Sequence, residues 1–183
     1  MTVTRVRLAT PDDAEAIADI HVRGWRAAYR GLVPDAVLDG LSLERRAAGW
    51  RQAIEQQDRE FAAEPTTAPG RTWMAETDDG VVGFAATGPG RDESAPAIPG
   101  SGEVHSIYLA PEARGLGHGR VLFAHAVADL RARAFGPIVV WVFEDNPVAR
   151  RFYEAAGFRA DGARSTIDFD GVPLGEIRYR LDA

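Results

Sequence analysis

The sequence predicts an α/β (α+β) domain, a mixed central sheet of about seven strands flanked by about four helices. Three observations carry that prediction. Short segments with period-two apolar alternation are interleaved with stretches whose apolar residues recur every three to four positions. One segment, Pro137 to Phe143 (PIVVWVF), is apolar nearly throughout, as a central strand covered on both faces would be. Two turn signals, Asp78-Asp79-Gly80 and Asp170-Gly171, each separate a pair of strand-like runs.

Taken in order, Val3 to Ala9 reads as a strand, with Val6 and Leu8 set against Arg5 and Arg7. Thr10-Pro11-Asp12-Asp13 opens a helix. Thr10 is a capping residue, Pro11 suits the first turn, and the two Asp favour the positive end of the helix dipole. That helix carries Ile17, His21, Trp25 and Tyr29 at i+4 spacing until Gly31 to Pro34 breaks it. A second helix is expected from about Ser42 to Asp58, with Leu43, Ala47, Trp50 and Ile54 as its apolar stripe. Glu64 to Gly70 is a Pro/Thr/Gly loop. Thr72 to Glu76 and Val81 to Thr87 form a hairpin, and Gly88 to Gly102 a long Gly/Pro surface loop. Glu103 to Leu109 is a strand and Gly117 to Arg133 a helix, with Leu122, Ala126 and Leu130 on one face. After the apolar strand, Pro147 to Ala156 is a short helix stopped by Gly157. Phe158 to Phe169 and Leu174 to Leu181 close the chain as a hairpin.

Residues 1 to 183 are read as one domain, because 183 residues is an ordinary single-domain length. A core of that size buries roughly two-thirds of the surface and needs no covalent staple. None is at hand: the chain has no cysteine. That excludes disulfides, cysteine-based zinc sites and any thiol nucleophile. It also has no lysine, so all 21 basic residues are Arg. Walker-type phosphate loops and Schiff-base chemistry both need a Lys and are excluded too. Twenty-seven acidic residues give a net charge of −6, which speaks against nucleic acid and suits a cationic partner. No apolar run has the length of a membrane span, and Met1 to Ala9 lacks a signal peptide's apolar core. The expectation is a cytoplasmic protein with no metal, no membrane contact and no nucleic-acid partner.

Two segments carry chemistry. The first runs from Leu109 to Arg120 (LAPEARGLGHGR), after a strand and into a helix. Gly115, Gly117 and Gly119 let successive backbone N–H groups converge, and the helix N-terminus adds positive potential. Arg114 and Arg120 add charge-assisted donors, so the segment reads as a phosphate or pyrophosphate site; the plain alternative is a tight turn that binds nothing. A dinucleotide fingerprint fits poorly, because its third glycine falls on Arg120. The second segment is Asn146 to Phe158 (NPVARRFYEAAGF). Taken alone it is a short helix with Asn146 as cap, Pro147 at the first position and Gly157 at the stop, and Tyr153 reads equally well as a core aromatic.

Together the two segments resemble the GNAT superfamily of acyl-CoA-dependent N-acetyltransferases. Arg114, Gly117 and Gly119 match that family's Arg/Gln-x-x-Gly-x-Gly/Ala loop. Asn146, Ala149, Tyr153, Gly157 and Phe158 match its Asn-x-x-Ala-x-x-x-Tyr motif with the following Gly-Phe. Trp25-x-x-Ala28-Tyr29-x-Gly31-x-x-Pro34 is similar to one bacterial branch of the family. The resemblance implies that the strands Glu103 to Leu109 and Pro137 to Phe143 start paired and splay apart. It implies acetyl-CoA in the wedge, with the pantetheine along Ile107 and Leu109. The pyrophosphate would lie on Gly115, Leu116, Gly117, His118, Gly119 and Arg120, with Arg114 and Asn146 beside it. It implies polarisation of the thioester carbonyl by the Leu109 N–H. Glu103 would be the base, the alternative being a surface carboxylate at the strand edge; His105, two residues on and on the same face if no bulge intervenes, is the rival base, and Tyr153 would serve the leaving thiolate. Trp25 and Tyr29, at i+4 spacing, read first as helix-face core; if they line a pocket they would cover a small-molecule amine, and Asp35 or Glu176, otherwise solvated, would add negative charge there. The implied reaction is direct attack in a ternary complex, and similar proteins often pair as homodimers. Protein N-terminal or side-chain acetylation, and a CoA-binding regulator without turnover, are the alternatives.

Overall fold

A computed structural model of the chain describes residues 3–63, 70–91 and 98–182. Seven strands lie in one sheet: β1 (Arg5–Leu8), β2 (Arg71–Thr77), β3 (Gly80–Pro89), β4 (Gly102–Leu109), β5 (Ile138–Phe143), β6 (Arg159–Phe169) and β7 (Val172–Leu181). Their spatial order is β1-β2-β3-β4-β5-β7-β6. Every neighbouring pair is antiparallel except β4 and β5 at the centre. The helices are α1 (Ala14–Tyr29), α2 (Asp35–Asp39), α3 (Leu43–Ala63), α4 (His118–Ala132) and α5 (Pro147–Ala155). The expected loop at Glu64 to Gly70, apart from Gly70, and the middle of the loop expected at Gly88 to Gly102 lie outside the described residues.

The elements follow from local chemistry. Asp13 accepts from the Thr10 backbone N–H at 2.7 Å and forms a two-pronged ion pair with Arg7 at 2.8 Å, which ties the first turn to β1. Asn146 caps α5 through its side-chain oxygen, which accepts from Ala149 N–H at 3.1 Å. α2 was not expected from the sequence; after Pro34 the chain makes one short helical turn whose Leu38 is fully buried. The second long helix runs past the expected Asp58 as far as Ala63.

Two apolar layers sandwich the sheet. On one face α4 and α5 set Leu122, Phe123, Ala126, Leu130 and Tyr153 against Val104, Ile138, Val140, Ile177 and Tyr179. On the other face α1 and α3 set Ile17, Ile20 and Ile54 against Met74 and Phe84. A third cluster at the end of α1 joins Trp25, Tyr29, Val33 and Leu38 to Phe143, Phe169 and Leu174.

Two irregularities of β4 shape the centre of the sheet. Thr87 opposes Val104 while Ala86 opposes Ser106, so His105 is an extra residue, a β-bulge. The bulge rephases the strand, so that Val104, Ile107 and Leu109 all serve the α4 layer while Tyr108 serves the α1 layer. Meanwhile β4 pairs with β5 only through Gly102 with Ile138 and Glu103 with Val139. Beyond that point the two central strands separate.

Among the described residues no helix is long and apolar enough to cross a membrane. No group of three or more metal-ligating side chains is found among them either.

Candidate active site

The gap between β4 and β5 opens into a cavity of about 500 Å³. Ile107, Tyr108 and Leu109 of β4 form one wall, and Asn146, Val148, Ala149, Phe152 and Tyr153 of α5 form the other. Ala27, Ala28 and Tyr29 of α1, with Arg114, Gly115, Gly117, Gly119 and Arg120 of the turn into α4, complete the lining.

Backbone direction decides what β4 offers. The N–H of Ala110 donates to Val82 O across β3 at 2.9 Å. Successive N–H groups of a strand point to opposite edges, so those of Leu109 and Ile107 point away from β3 into the gap. Two residues of β4 therefore present unpaired edge groups to whatever enters, as in strand addition.

Beyond β4 the chain turns into α4 through Gly115 and Gly117, with φ of +78° and +94°. A side chain is strained at those angles, which explains the glycines. The first intrahelical donor there is Arg120 N–H, which bonds Gly117 O at 3.0 Å. The N–H groups of Gly115 through Gly119 have no backbone acceptor among the described residues. This is the open N-terminus of a 15-residue helix, where an anion is favoured. Gly119 lets the first turn of α4 approach β4 and α5 closely: a Cβ there would stand 3.2 Å from Leu109 Cδ1 and 3.6 Å from Phe152 Cε2.

The side chains predicted for this loop divide. Arg120 lines the cavity. Arg114 lines it too, but its guanidinium donates to Gly24 O at 3.2 Å and so fastens the loop to α1. Leu116 is exposed at the rim, outside the lining. His118 turns its ring inward, with Nδ1 2.8 Å from Thr4 Oγ1, so only its backbone serves the cradle.

Tyr153 reaches the cavity from α5. Its ring packs among Phe123, Phe152, Phe158 and Tyr179. Its hydroxyl has no hydrogen-bond partner among the described residues. Burial pushes the phenol's pKa up, and the nearby Tyr29 phenol adds to it, so it is a protonated donor at neutral pH. Tyr29 and Tyr108 stand opposite with their hydroxyls 3.2 Å apart, and burial raises both of their pKa values as well. Tyr108 and the α5 residues Val148, Ala149 and Phe152 were not singled out from the sequence as lining. Tyr108 was hidden by the bulge; the α5 positions were legible from their i, i+1, i+4 and i+5 spacing on one helix face.

Glu103, His105 and Trp25 stand outside the cavity lining. Glu103 is 2% exposed, and its carboxylate accepts from both Arg91 N–H and Arg91 Nη2, each at 2.9 Å. His105 places Nε2 3.0 Å from Pro89 O. A carbonyl only accepts, so Nε2 carries the proton and Nδ1 is the basic nitrogen; burial holds the imidazole below its ordinary pKa, against the opposing pull of Glu103. A Cβ on Gly88 would come within 2.8 Å of this ring, which is why glycine stands there. Trp25 packs behind Tyr29, in T-shaped contact with Tyr29 and Phe169. Of the two predicted substrate aromatics, the structure brings Tyr29 to the cavity and uses Trp25 to support it.

Comparison with known proteins agrees with this geometry. The family model described as Acetyltransferase (GNAT) family matches residues 37–158. The uncharacterized N-acetyltransferase YuaI of Bacillus subtilis is 31% identical over 173 residues, covering 94% of this chain and 89% of its own. A mycothiol acetyltransferase of Rhodococcus erythropolis is 31% identical over 166 residues, covering 84% of this chain but 53% of its own. Among solved structures, the PaiA N-acetyltransferase of Thermoplasma acidophilum in complex with coenzyme A superposes with a TM-score of 0.71 at 16% identity, over 98% of this chain and 99% of that one. The ribosomal-protein-alanine N-acetyltransferase of Brucella melitensis gives a TM-score of 0.71 at 24% identity, over 98% and 99%. The splayed central strands, the amide cradle before α4 and a family match over more than half of the sequence converge: the chain belongs to the acetyltransferase (GNAT) family.

Proposed function

We propose that this protein transfers an acetyl group from acetyl-CoA to a primary amine of a small molecule, by direct attack within a ternary complex. The observation that carries the reading is the gap itself. It offers two inward N–H groups of β4, an anion-binding helix end and an unpartnered phenol at its wall. That set fits the donor's chemistry. The pyrophosphate would rest on the amides of Gly115 through Gly119 with Arg120 as counter-charge, near the Asn146 end of α5. The pantetheine amides would pair with β4 at Ile107 and Leu109. The Leu109 N–H would hydrogen-bond the thioester oxygen as negative charge develops there.

The leaving thiolate needs a proton or a strong hydrogen bond, which the Tyr153 hydroxyl supplies. A free phenol is a weaker acid than a thiol, and burial weakens this one further. Stabilisation of the sulfur by a hydrogen bond is therefore its main work. On the acceptor side, a primary amine is mostly protonated at neutral pH and must lose a proton before attack. Glu103, His105 and Glu176 lie on the α1 face and compete for that proton. No thiol is present to carry the acetyl group, which supports direct transfer.

A small acceptor is favoured because α1 and α2 roof that face, with Tyr29 seated over Phe143 at 5.1 Å. The relatives named mycothiol acetyltransferase add support. The test is release of CoA from acetyl-CoA across a panel of polyamines, amino acids, aminoglycosides and peptides. Turnover of small amines supports the proposal. Turnover of peptides alone transfers it to a protein acceptor, and binding of acetyl-CoA without any turnover leaves a regulator. Pairing of two copies belongs to the same reading, with light scattering as its measurement.

A further inference from the structure

Glu103 is not the only carboxylate on the acceptor face. Phe143 ends β5, and its cross-strand partner on β7 is Glu176. Directly opposed residues of antiparallel strands share a face. Glu176 therefore stands beside Tyr29, which sits edge-on over Phe143 and lines the cavity, while Glu176 itself, like Glu103, lies outside that lining. The position is one strand beyond the gap, where β4 has already left β5.

Glu176 and Glu103 differ in how they are held. Both Glu103 oxygens are engaged by Arg91, and the residue is 2% exposed. Glu176 is half-buried, and among the described residues its carboxylate makes no hydrogen bond or ion pair. A carboxylate taken partly out of water without a partner is costly to keep, and a cationic ligand is the natural completion.

We propose that Glu176 is the general base of the transfer, taking the proton from the acceptor's ammonium. The assignment rests on the acetyl-transfer reading. An N–H bond of the ammonium breaks and an O–H bond forms on Glu176. The freed lone pair forms the C–N bond to the acyl carbon as the C–S bond breaks. The second nitrogen proton goes to the departing sulfur beside Tyr153, giving CoA thiol and amide, and Glu176 returns its proton to solvent.

The surroundings suit the role. Burial raises the Glu176 carboxyl pKa, Glu103 acts in the same sense and Arg91 opposes them. A base shifted towards the working pH is a better catalyst than one of ordinary carboxylate strength. Apart from His105, whose Nδ1 stays basic and unengaged, the neighbouring ionisable groups are committed. Arg178, two residues along β7, donates to Asp161 at 2.7 Å. The Tyr29 phenol is kept neutral by burial. On β4, His105 is held by Pro89 O and Glu103 by Arg91.

The test compares Glu176→Gln and Glu103→Gln with wild type, on an amine that wild type acetylates, from about pH 5 to 9. For Glu176→Gln, kcat/KM is expected to fall about 100-fold at neutral pH and to lose the acidic limb of its profile. Acetyl-CoA affinity by calorimetry should stay within about twofold, and Glu176→Asp should recover part of the rate. A Glu176→Gln enzyme that keeps the acidic limb, or a limb lost in Glu103→Gln instead, overturns the assignment and leaves acetyl transfer standing. A wild type that binds acetyl-CoA but acetylates nothing removes both.

Discussion

At the scale of single residues, the cavity separates groups that act from groups that support. Tyr153 suits the role proposed for it: its ring is locked by four aromatic neighbours while its hydroxyl has no partner among the described residues. Tyr153→Phe keeps that packing and deletes only the oxygen. We expect turnover to fall about 100-fold with acetyl-CoA affinity unchanged, measured by single-turnover kinetics and calorimetry; unchanged turnover would remove the role. His21 supports. Trp50 Nε1 donates to its Nδ1 at 3.1 Å, and the ring stacks on Tyr108 at 5.0 Å. Burial, with Arg46 nearby, lowers its pKa from 6.5 to about 4. The unfolded chain therefore binds this proton below pH 6.5 while the folded one refuses it until about pH 4. Stability contributed by the neutral ring is complete above pH 6.5 and lost as pH falls towards 4, by roughly 3 kcal/mol in all. Urea unfolding at stepped pH should show that loss in wild type. A His21→Phe variant, though weaker overall for want of an acceptor for Trp50, should show a flatter profile across the same window.

At the scale of elements, the decisive features are a turn, a contact and a bulge. The turn into α4 depends on left-handed Gly117. Gly117→Trp is expected to strain that turn and fill the cradle, weakening acetyl-CoA binding at least tenfold while circular dichroism stays native. Normal binding would move the phosphate site elsewhere. The contact is α1 against β4, where a Cβ on Gly24 would stand 3.1 Å from Tyr108 Cδ1. Gly24→Leu should cost about 1–3 kcal/mol by overpacking and loosen the Tyr29–Tyr108 pair, read as a lower urea midpoint. The turn and the bulge differ in how openly the sequence announces them. The Gly115-x-Gly117 pattern is local, because a strand-to-helix turn writes its φ angles into consecutive residues. The His105 bulge is not local: it exists only in the pairing of β4 with β3, and alternation along β4 alone gives the wrong neighbours for Tyr108.

At the scale of the whole molecule, the order of the strands and of the four longer helices was legible because those elements carry their own periods or caps; five-residue α2 was not, being too short to show a period. Asn146, Pro147 and Gly157 delimit α5 correctly, and the apolar run delimits β5. What could not be read was long-range. Glu103 meets Arg91 across a loop, His118 turns to Thr4 beyond β1, and Trp25 retreats behind Tyr29. Each outcome depends on which surfaces the sheet brings together, not on neighbours in sequence. The proposed site draws on the same long-range assembly: β4 and α5 would supply the donor walls, α1 the roof and β7 the carboxylate, with both substrates held around one gap. The most direct measurement is therefore the initial rate with acetyl-CoA varied at several fixed concentrations of an acetylated amine. Direct transfer in the gap predicts reciprocal plots that intersect. Parallel plots would mean an acetyl-enzyme intermediate and would contradict direct transfer.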